Sequence, residues 1–96
     1  MKKYFIVSLV KNGIIGGGIT ADSEAITYRT NKLTVPREYR KLVMKYEDIC
    51  EVTKGWLFVL PMVTVKMKSG NEYKFAVFSG RESFVNTITE MEVNGQ

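Results

Sequence analysis

The sequence has no histidine and a single cysteine, Cys50, among its 96 residues. Without histidine the chain has no imidazole base, no nucleophile paired with histidine and no histidine-ligated zinc site. One thiol forms neither an internal disulfide nor a Cys-x-x-Cys site, and an unpaired thiol is typical of a reducing cytosol, so we expect a cytoplasmic protein. These absences exclude many enzyme classes, and we predict no catalytic residues, no metal site and no cofactor.

Long hydrophobic runs are also missing. An apolar stretch over residues 4–10 follows Lys2 and Lys3, but it stops at Lys11. Asn12-Gly13-Ile14-Ile15 then stands where a signal-peptide cleavage site would need small residues. No run approaches the roughly 20 apolar residues of a membrane-spanning helix. We therefore expect neither a secretory signal nor a transmembrane segment.

Short alternating apolar runs dominate the first four fifths of the chain, which predicts β-strands. No connection is long enough for a crossover helix, so consecutive strands should pair as antiparallel hairpins. The length and the 45% apolar composition suit one domain over residues 1–96. Seven strands are predicted, over Lys3–Val10, Ile15–Ala21, Glu24–Thr30, Lys41–Tyr46, Ile49–Lys54, part of Leu57–Lys68 and Glu72–Phe78.

The last two predicted strands form the clearest hairpin, because apolar and polar residues alternate in both. A three-residue loop, Ser69-Gly70-Asn71, places both apolar sets on one face of the sheet. In that register Val65 pairs with Phe75, and Lys66 lies opposite Lys74 on the outer face.

One helix is predicted, at about residues 80–92. Ser79 and Glu82 have the spacing of a capping box, in which each side chain satisfies an exposed backbone N–H group. An apolar stripe follows at helical spacing, formed by Phe84, Ile88 and Met91. We expect this stripe to close one end of a β-barrel.

Gly16-Gly17-Gly18 is the most conspicuous short cluster. A phosphate-binding P-loop requires a Gly-Lys-Ser/Thr sequence at the start of a helix, whereas Ile19 leads into another strand. Glycines inside a strand more often mark a bulge, a barrel kink or the close approach of another backbone. We therefore predict a structural role for this cluster.

The net charge of +4 is concentrated in residues 29–45, where Glu38 is the one acidic residue. Long loops such as the connection within this stretch are commonly functional. We expect Leu33, Val35 and Tyr39 to fix the connection to the barrel, so that its arginines point outward and can grip phosphate or carboxylate. The candidate residues for binding a ligand or an anionic surface are Arg29, Lys32, Arg37, Arg40 and Lys41. A merely solvated basic surface is the alternative.

A second candidate is the segment 56–63, which is apolar at both strand parities. If it forms a loop tip, Trp56, Leu57 and Phe58 are candidates for apolar contact with a membrane surface or a partner. Pro61 lacks a backbone N–H and favours an edge, bulge or loop. The alternative is a strand buried on both faces.

Three short segments occur in an order shared with a known family. They are Gly17-Gly18-Ile19-Thr20 leading to Ala25-Ile26-Thr27-Tyr28, Met44-Lys45-Tyr46-Glu47-Asp48-Ile49-Cys50-Glu51-Val52, and Lys68-Ser69-Gly70-Asn71-Glu72-Tyr73-Lys74-Phe75. Together they resemble the pleckstrin-homology-like superfold, and within it the GRAM domains and the bacterial pleckstrin-homology-like domains. The resemblance implies a mainly β fold, a barrel of about seven antiparallel strands capped by a C-terminal helix.

Two departures from that family concern lipid binding. Lipid-binding members carry several basic residues between their first two strands, where this chain has only Lys11, and a helix tryptophan where this chain has Phe84. The resemblance therefore implies the fold without implying phosphoinositide binding.

These observations favour a non-enzymatic binding module that recognises an anionic membrane surface or a protein partner. The alternative is a homo-oligomerising interaction domain without lipid binding, with residues 56–62 as its interface. Catalysis is not favoured, because Asp22, Glu47, Asp48 and Glu51 are not spaced as an acid–base pair. No nucleic-acid partner is expected, since the chain has no RNA-recognition or cold-shock aromatic motif.

Overall fold

The computed structural model describes residues 2–11, 13–32 and 35–94. Within these ranges, seven antiparallel strands form one sheet and a single α-helix follows them. The elements are β1 (Lys3–Val10), β2 (Ile14–Ala21), β3 (Ala25–Arg29), β4 (Lys41–Lys45), β5 (Ile49–Leu57), β6 (Leu60–Met67), β7 (Glu72–Ala76) and α1 (Arg81–Asn94). Short 3-10 helices at Arg37–Tyr39 and Tyr46–Asp48 precede and follow β4. The predicted strand number, pairing sense and C-terminal helix are confirmed.

The strands lie in the order β4-β3-β2-β1-β7-β6-β5, so β4 and β5 are the two edges of an open sheet. The sheet nevertheless curves around its inner face. Tyr28 of β3 and Phe75 of β7 are three strand positions apart, which would be about 14 Å in a flat sheet. Their ring centroids are 5.6 Å apart. The architecture is thus a curved, unclosed version of the expected barrel.

Helix α1 covers the inner face of the sheet. Phe84 and Ile88 are fully buried, Met91 is half-buried, and the Phe84 ring meets Phe5 of β1 edge-on at a centroid distance of 5.1 Å. The predicted apolar stripe is therefore confirmed. The fully buried side chains at the centre of the core are Val7, Leu9, Ile19, Ile26, Tyr28, Met44, Val63, Val65, Phe75 and Val77, with Phe84 and Ile88 from the helix.

The predicted register of the β6–β7 hairpin is wrong by two residues. Val65 pairs with Tyr73, not with Phe75, and Lys66 lies opposite Glu72. The turn keeps three residues but lies one residue earlier, at Lys68-Ser69-Gly70, since the Met67 backbone N–H donates to the Asn71 carbonyl at 2.8 Å. An even shift leaves every side chain on its predicted face. It also places opposite charges across the strands in place of two lysines.

The predicted capping box at the start of α1 is also corrected. The Gly80 carbonyl accepts the first helical hydrogen bond, from the Phe84 N–H at 2.9 Å. Glu82 instead accepts a hydrogen bond from Lys54 Nζ of β5 at 2.8 Å. The helix therefore begins one residue later than predicted, and Glu82 fixes it to an edge strand.

Candidate functional site

Two of the predicted binding residues, Arg29 and Lys41, are direct cross-strand neighbours. Arg29 ends β3, Lys41 begins β4, and both side chains are exposed. Like charges directly opposite each other destabilise a sheet. Within the described residues, the one ion pair joins Lys54 and Glu82. No described carboxylate therefore neutralises Arg29 or Lys41. The pair therefore lowers the stability of the fold, which makes these two residues candidates for a function.

The connection between these strands, residues 30–40, which we call the basic connection, is only partly as predicted. Lys32 and Arg37 are exposed, but Arg40 is half-buried and donates from Nε to the Val35 carbonyl at 2.8 Å. Val35 is buried, as expected, and Tyr39 packs against the core. The expectation that Arg40 points outward is therefore corrected, because its guanidinium holds the connection in place. Leu33, predicted to help fix this connection, lies outside the described residues.

The outer face of β1 to β4 carries apolar and basic residues side by side. The strand pairs give one row across the sheet, Ile6-Gly18-Arg29-Lys41, and a neighbouring row, Tyr4-Thr20-Thr27-Val43. Ile6 is 72% exposed and Tyr4 is 66% exposed. None of these four strands contains Asp or Glu. The face is therefore amphipathic and cationic.

Sequence reasoning did not identify Tyr4 and Ile6 as part of a site. The signal was present, because alternation in β1 places them opposite the buried Phe5 and Val7. Their neighbourhood with Arg29 follows only from the three-dimensional strand order, which joins β1 to β3 through β2.

The three glycines of β2 form the floor of an open furrow on this outer face. The furrow has a volume of about 490 Å³ and is lined by Tyr4 on one side and by Arg29 and Lys32 on the other. We call this region, formed by Tyr4, Gly16–Gly18, Arg29 and Lys32, the glycine furrow. Of the structural roles expected for this cluster, the close approach of another backbone applies at Gly17, where a Cβ would come under 3.0 Å from the Arg29 carbonyl oxygen; at Gly18 the Tyr4 side chain is the group in the way.

The predicted apolar segment forms the β5–β6 hairpin at the opposite edge of the sheet. Leu57 pairs with Leu60, and the two-residue turn between them is Phe58-Val59. Phe58 is 93% exposed and has a φ of 57°, which is rare for a bulky side chain. Val59, which sequence reasoning did not single out, is 84% exposed. The tip is thus strained as well as apolar.

Trp56 belongs to the side of this hairpin, not to its tip. It is 63% exposed, and the Arg81 guanidinium of α1 lies 4.7 Å from its ring centroid. Arg81 Nη1 also donates to the Gly55 carbonyl at 2.8 Å. The two predicted contact regions, the basic connection and the apolar tip, therefore lie at opposite edges of the sheet and do not form one continuous row.

A second concavity, of about 370 Å³, lies between the basic connection and the β6–β7 turn. Leu9 and Leu42 form its apolar floor, and Tyr39 and Tyr73 stand beside them. Its charged lining residues balance in sign: Lys11, Lys74, Glu38 and Glu72. This concavity lacks the cationic excess of the outer face.

The shifted pKa values of Tyr46 and Asp22 have structural explanations. Tyr46 lies in the 3-10 helix after β4 and contacts Asp22 of the β2–β3 turn. Burial raises the pKa of Tyr46 to about 12, with the nearby Asp22 charge adding to the effect. The Tyr46 hydroxyl donates to the Asp22 carbonyl oxygen at 2.8 Å. The pKa of Asp22 is lowered because its carboxylate accepts hydrogen bonds from the backbone N–H groups of Glu24 and Ala25. These contacts stabilise a turn and give no acid–base pair.

No family model and no curated protein matches the sequence. Among solved structures, the crystal structure of the C-terminal domain of an unknown protein from Leishmania infantum is similar, with a TM-score of 0.79 at 11% sequence identity. The match covers 95% of this chain and 82% of that chain. It shows a shared fold. None of the helices in the described part of this chain has the length and apolar character needed to cross a membrane.

Proposed function

We propose that this domain is a non-enzymatic binding module that docks on an anionic membrane surface through the outer face of β1 to β4. The observation that carries the proposal is the exposed Arg29–Lys41 pair, which repels itself and lies beside the exposed Ile6 and Tyr4. An anionic surface relieves that repulsion, and its interfacial layer accepts tyrosine and aliphatic side chains.

The charge distribution supports the same proposal. Residues 1–48 carry nine basic and five acidic residues, whereas residues 49–96 carry five of each, so the net charge of +4 lies in the first half of the chain. That half contains β1 to β4 and the basic connection. The sequence resemblance to pleckstrin-homology-like and GRAM domains, together with the strand number and the C-terminal helix, supports kinship with that family.

The test is cosedimentation with vesicles of phosphatidylcholine alone and of phosphatidylcholine with phosphatidylserine, at low and high salt. Each basic residue near such a surface contributes about 1 kcal/mol, so Arg29→Ala with Lys41→Ala should weaken binding by about 30-fold. High salt should weaken binding of the unchanged protein, because screening shortens the reach of exposed charges.

A matched control replaces two exposed lysines outside the proposed surface. Lys68→Ala with Lys74→Ala removes the same charge from the β6–β7 hairpin and should leave binding nearly unchanged. Equal losses in the two double variants would show that only net charge matters and would reject docking through β1 to β4. Since Arg29 and Lys41 repel each other, removing them does not unfold the domain, which a thermal unfolding curve checks.

The apolar hairpin tip favours a second candidate function, self-association without lipid binding. Phe58 and Val59 expose apolar surface at a strained turn, a combination that folding alone does not reward. In this case the protein forms oligomers at high concentration, and Phe58→Asn with Val59→Gly returns it to a monomer. Light scattering after gel filtration measures this. A monomer at every concentration rejects the candidate.

A further inference from the structure

The glycine furrow contains a glycine that the fold does not require. Gly17 and Gly18 have packing reasons, because a Cβ at either would clash with Arg29 and Tyr28 or with Tyr4. A Cβ at Gly16 would meet nothing within 4 Å, and its φ is not in the left-handed region. Glycine weakens the interior of a strand. Gly16 therefore leaves open a space that the protein itself does not fill.

Hydrogen bonds hold the β3 side of that space in place. Thr30 Oγ1 donates to the Gly16 carbonyl at 2.8 Å, and the Lys32 N–H donates to Thr30 Oγ1 at 3.3 Å. These bonds fix the chain that leaves β3 against β2, so Arg29 and Lys32 stand on one side of the furrow. On the other side the Tyr4 ring lies over Gly18, with the exposed Ile6 next to it along β1.

We propose that the glycine furrow seats one anionic phospholipid, with its phosphate between Arg29 and Lys32 and its apolar portion against Tyr4 and Ile6. This inference rests on the proposed membrane docking and deepens it, because it replaces a diffuse charge attraction with a discrete binding site. Charge complementarity identifies the occupant: the surrounding strands contribute cations and no carboxylate.

The position of the furrow favours a lipid over an extended peptide. Strand β2 is not a sheet edge, because it pairs with β1 over its whole length and with β3 from Gly18 to Ala21, and the Gly16 carbonyl accepts a hydrogen bond from Thr30 Oγ1. An extended peptide gains most of its affinity from backbone hydrogen bonds at a sheet edge, and the furrow is not such an edge. A free phosphate ion would contact the exposed cations but leave the apolar wall unused.

The decisive variant fills the furrow without removing charge. Gly16→Val places a side chain in the open space, and Gly55→Val is its matched control, because Gly55 also lies in a strand and its Cβ would likewise meet nothing within 4 Å. Gly16→Ala, which adds only the Cβ, is the second variant should valine disturb the fold. Thermal unfolding of each variant shows whether it is folded.

Binding is measured by amide chemical shifts during titration with a short-chain phosphatidylserine kept below its micelle concentration. We expect saturable shifts at Gly16, Gly17, Gly18 and Arg29, weakened about tenfold by Gly16→Val and unchanged by Gly55→Val. Inorganic phosphate and phosphoserine should give no saturable shifts there. Equal responses to phosphate and to the lipid, or equal binding by Gly16→Val, Gly16→Ala and the unchanged protein, would overturn the lipid site.

Vesicle binding separates this inference from the proposed function. If the unchanged protein and Gly16→Val bind phosphatidylserine vesicles equally in a salt-dependent way, docking stands and the discrete site is rejected. If the unchanged protein binds no anionic vesicle at either salt concentration, the proposed function is rejected and the lipid site with it.

Discussion

Two neighbouring glycines of β2 should respond in opposite ways to the same one-methyl change. In Gly17→Ala the new Cβ comes under 3.0 Å from the Arg29 carbonyl oxygen and the Tyr28 ring. The carbonyl belongs to the paired strand and Tyr28 is fully buried, so neither can move aside cheaply. Overpacking of this kind costs about 1–3 kcal/mol. For a domain of this size that lowers the Tm by roughly 5 to 20 °C.

Gly16→Ala has no such clash. Its Cβ enters open space, and alanine removes the entropic cost of a strand glycine, which is about 0.5–1 kcal/mol. We expect the Tm to rise by roughly 2 to 8 °C. Gly18→Ala falls between the two, because the clashing Tyr4 side chain is exposed and can rotate into solvent.

Circular dichroism during thermal and urea unfolding measures all three variants against the unchanged protein. The reasoning is refuted if Gly17→Ala is as stable as the unchanged protein, or if Gly16→Ala is less stable than Gly17→Ala. Either result would mean that β2 does not pack against β3 in the register described here.

Three further perturbations test the core, a buried hydroxyl and the hairpin tip. Phe84→Ala should lower the free energy of unfolding, measured with urea, by about 3–5 kcal/mol, because the ring is fully buried against Phe5. A decrease of under about 1 kcal/mol would contradict the packing of the helix on the sheet. Because the folded pKa of Tyr46 lies near 12 and the unfolded value near 10, stability should be full below pH 10 and fall as the pH rises toward 12. Tyr46→Phe should reduce that decline while losing the hydrogen bond to Asp22; a part remains because burial also raises the pKa of Tyr28, and an unchanged decline would assign it to another group. Phe58→Asn should stabilise the domain by about 1 kcal/mol, since asparagine tolerates a φ of 57°, and a loss of stability would contradict the strained turn.

The fold was largely predictable because its strongest signals are local. Alternation in β1, β6 and β7 and the helical spacing of Phe84, Ile88 and Met91 each arise from burial against one core. The hairpin register was not predictable to the residue. An even shift of two preserves the buried face, so the apolar pattern alone does not distinguish Val65 opposite Phe75 from Val65 opposite Tyr73.

The candidate site was less predictable, because it depends on which strands are neighbours. The sequence identified the basic residues at the ends of β3 and β4 but not the apolar residues beside them. Tyr4 and Arg29 are 25 positions apart along the chain and meet only through β2. The role of Arg40 was missed for a related reason, since its partner is a backbone carbonyl, that of Val35. No side-chain pattern reveals such a contact.

If the domain docks on an anionic membrane as proposed, the absence of carboxylates from β1 to β4 also affects how it approaches that membrane. Because the net positive charge lies in the half of the chain that contains β1 to β4, the domain has an electric dipole moment. A negatively charged membrane therefore exerts a torque on the domain before the two touch. Molecules then arrive with the β3–β4 side leading, and the fraction of productive collisions rises. Added salt should therefore lower the association rate first, before it raises the dissociation rate of protein that is already bound.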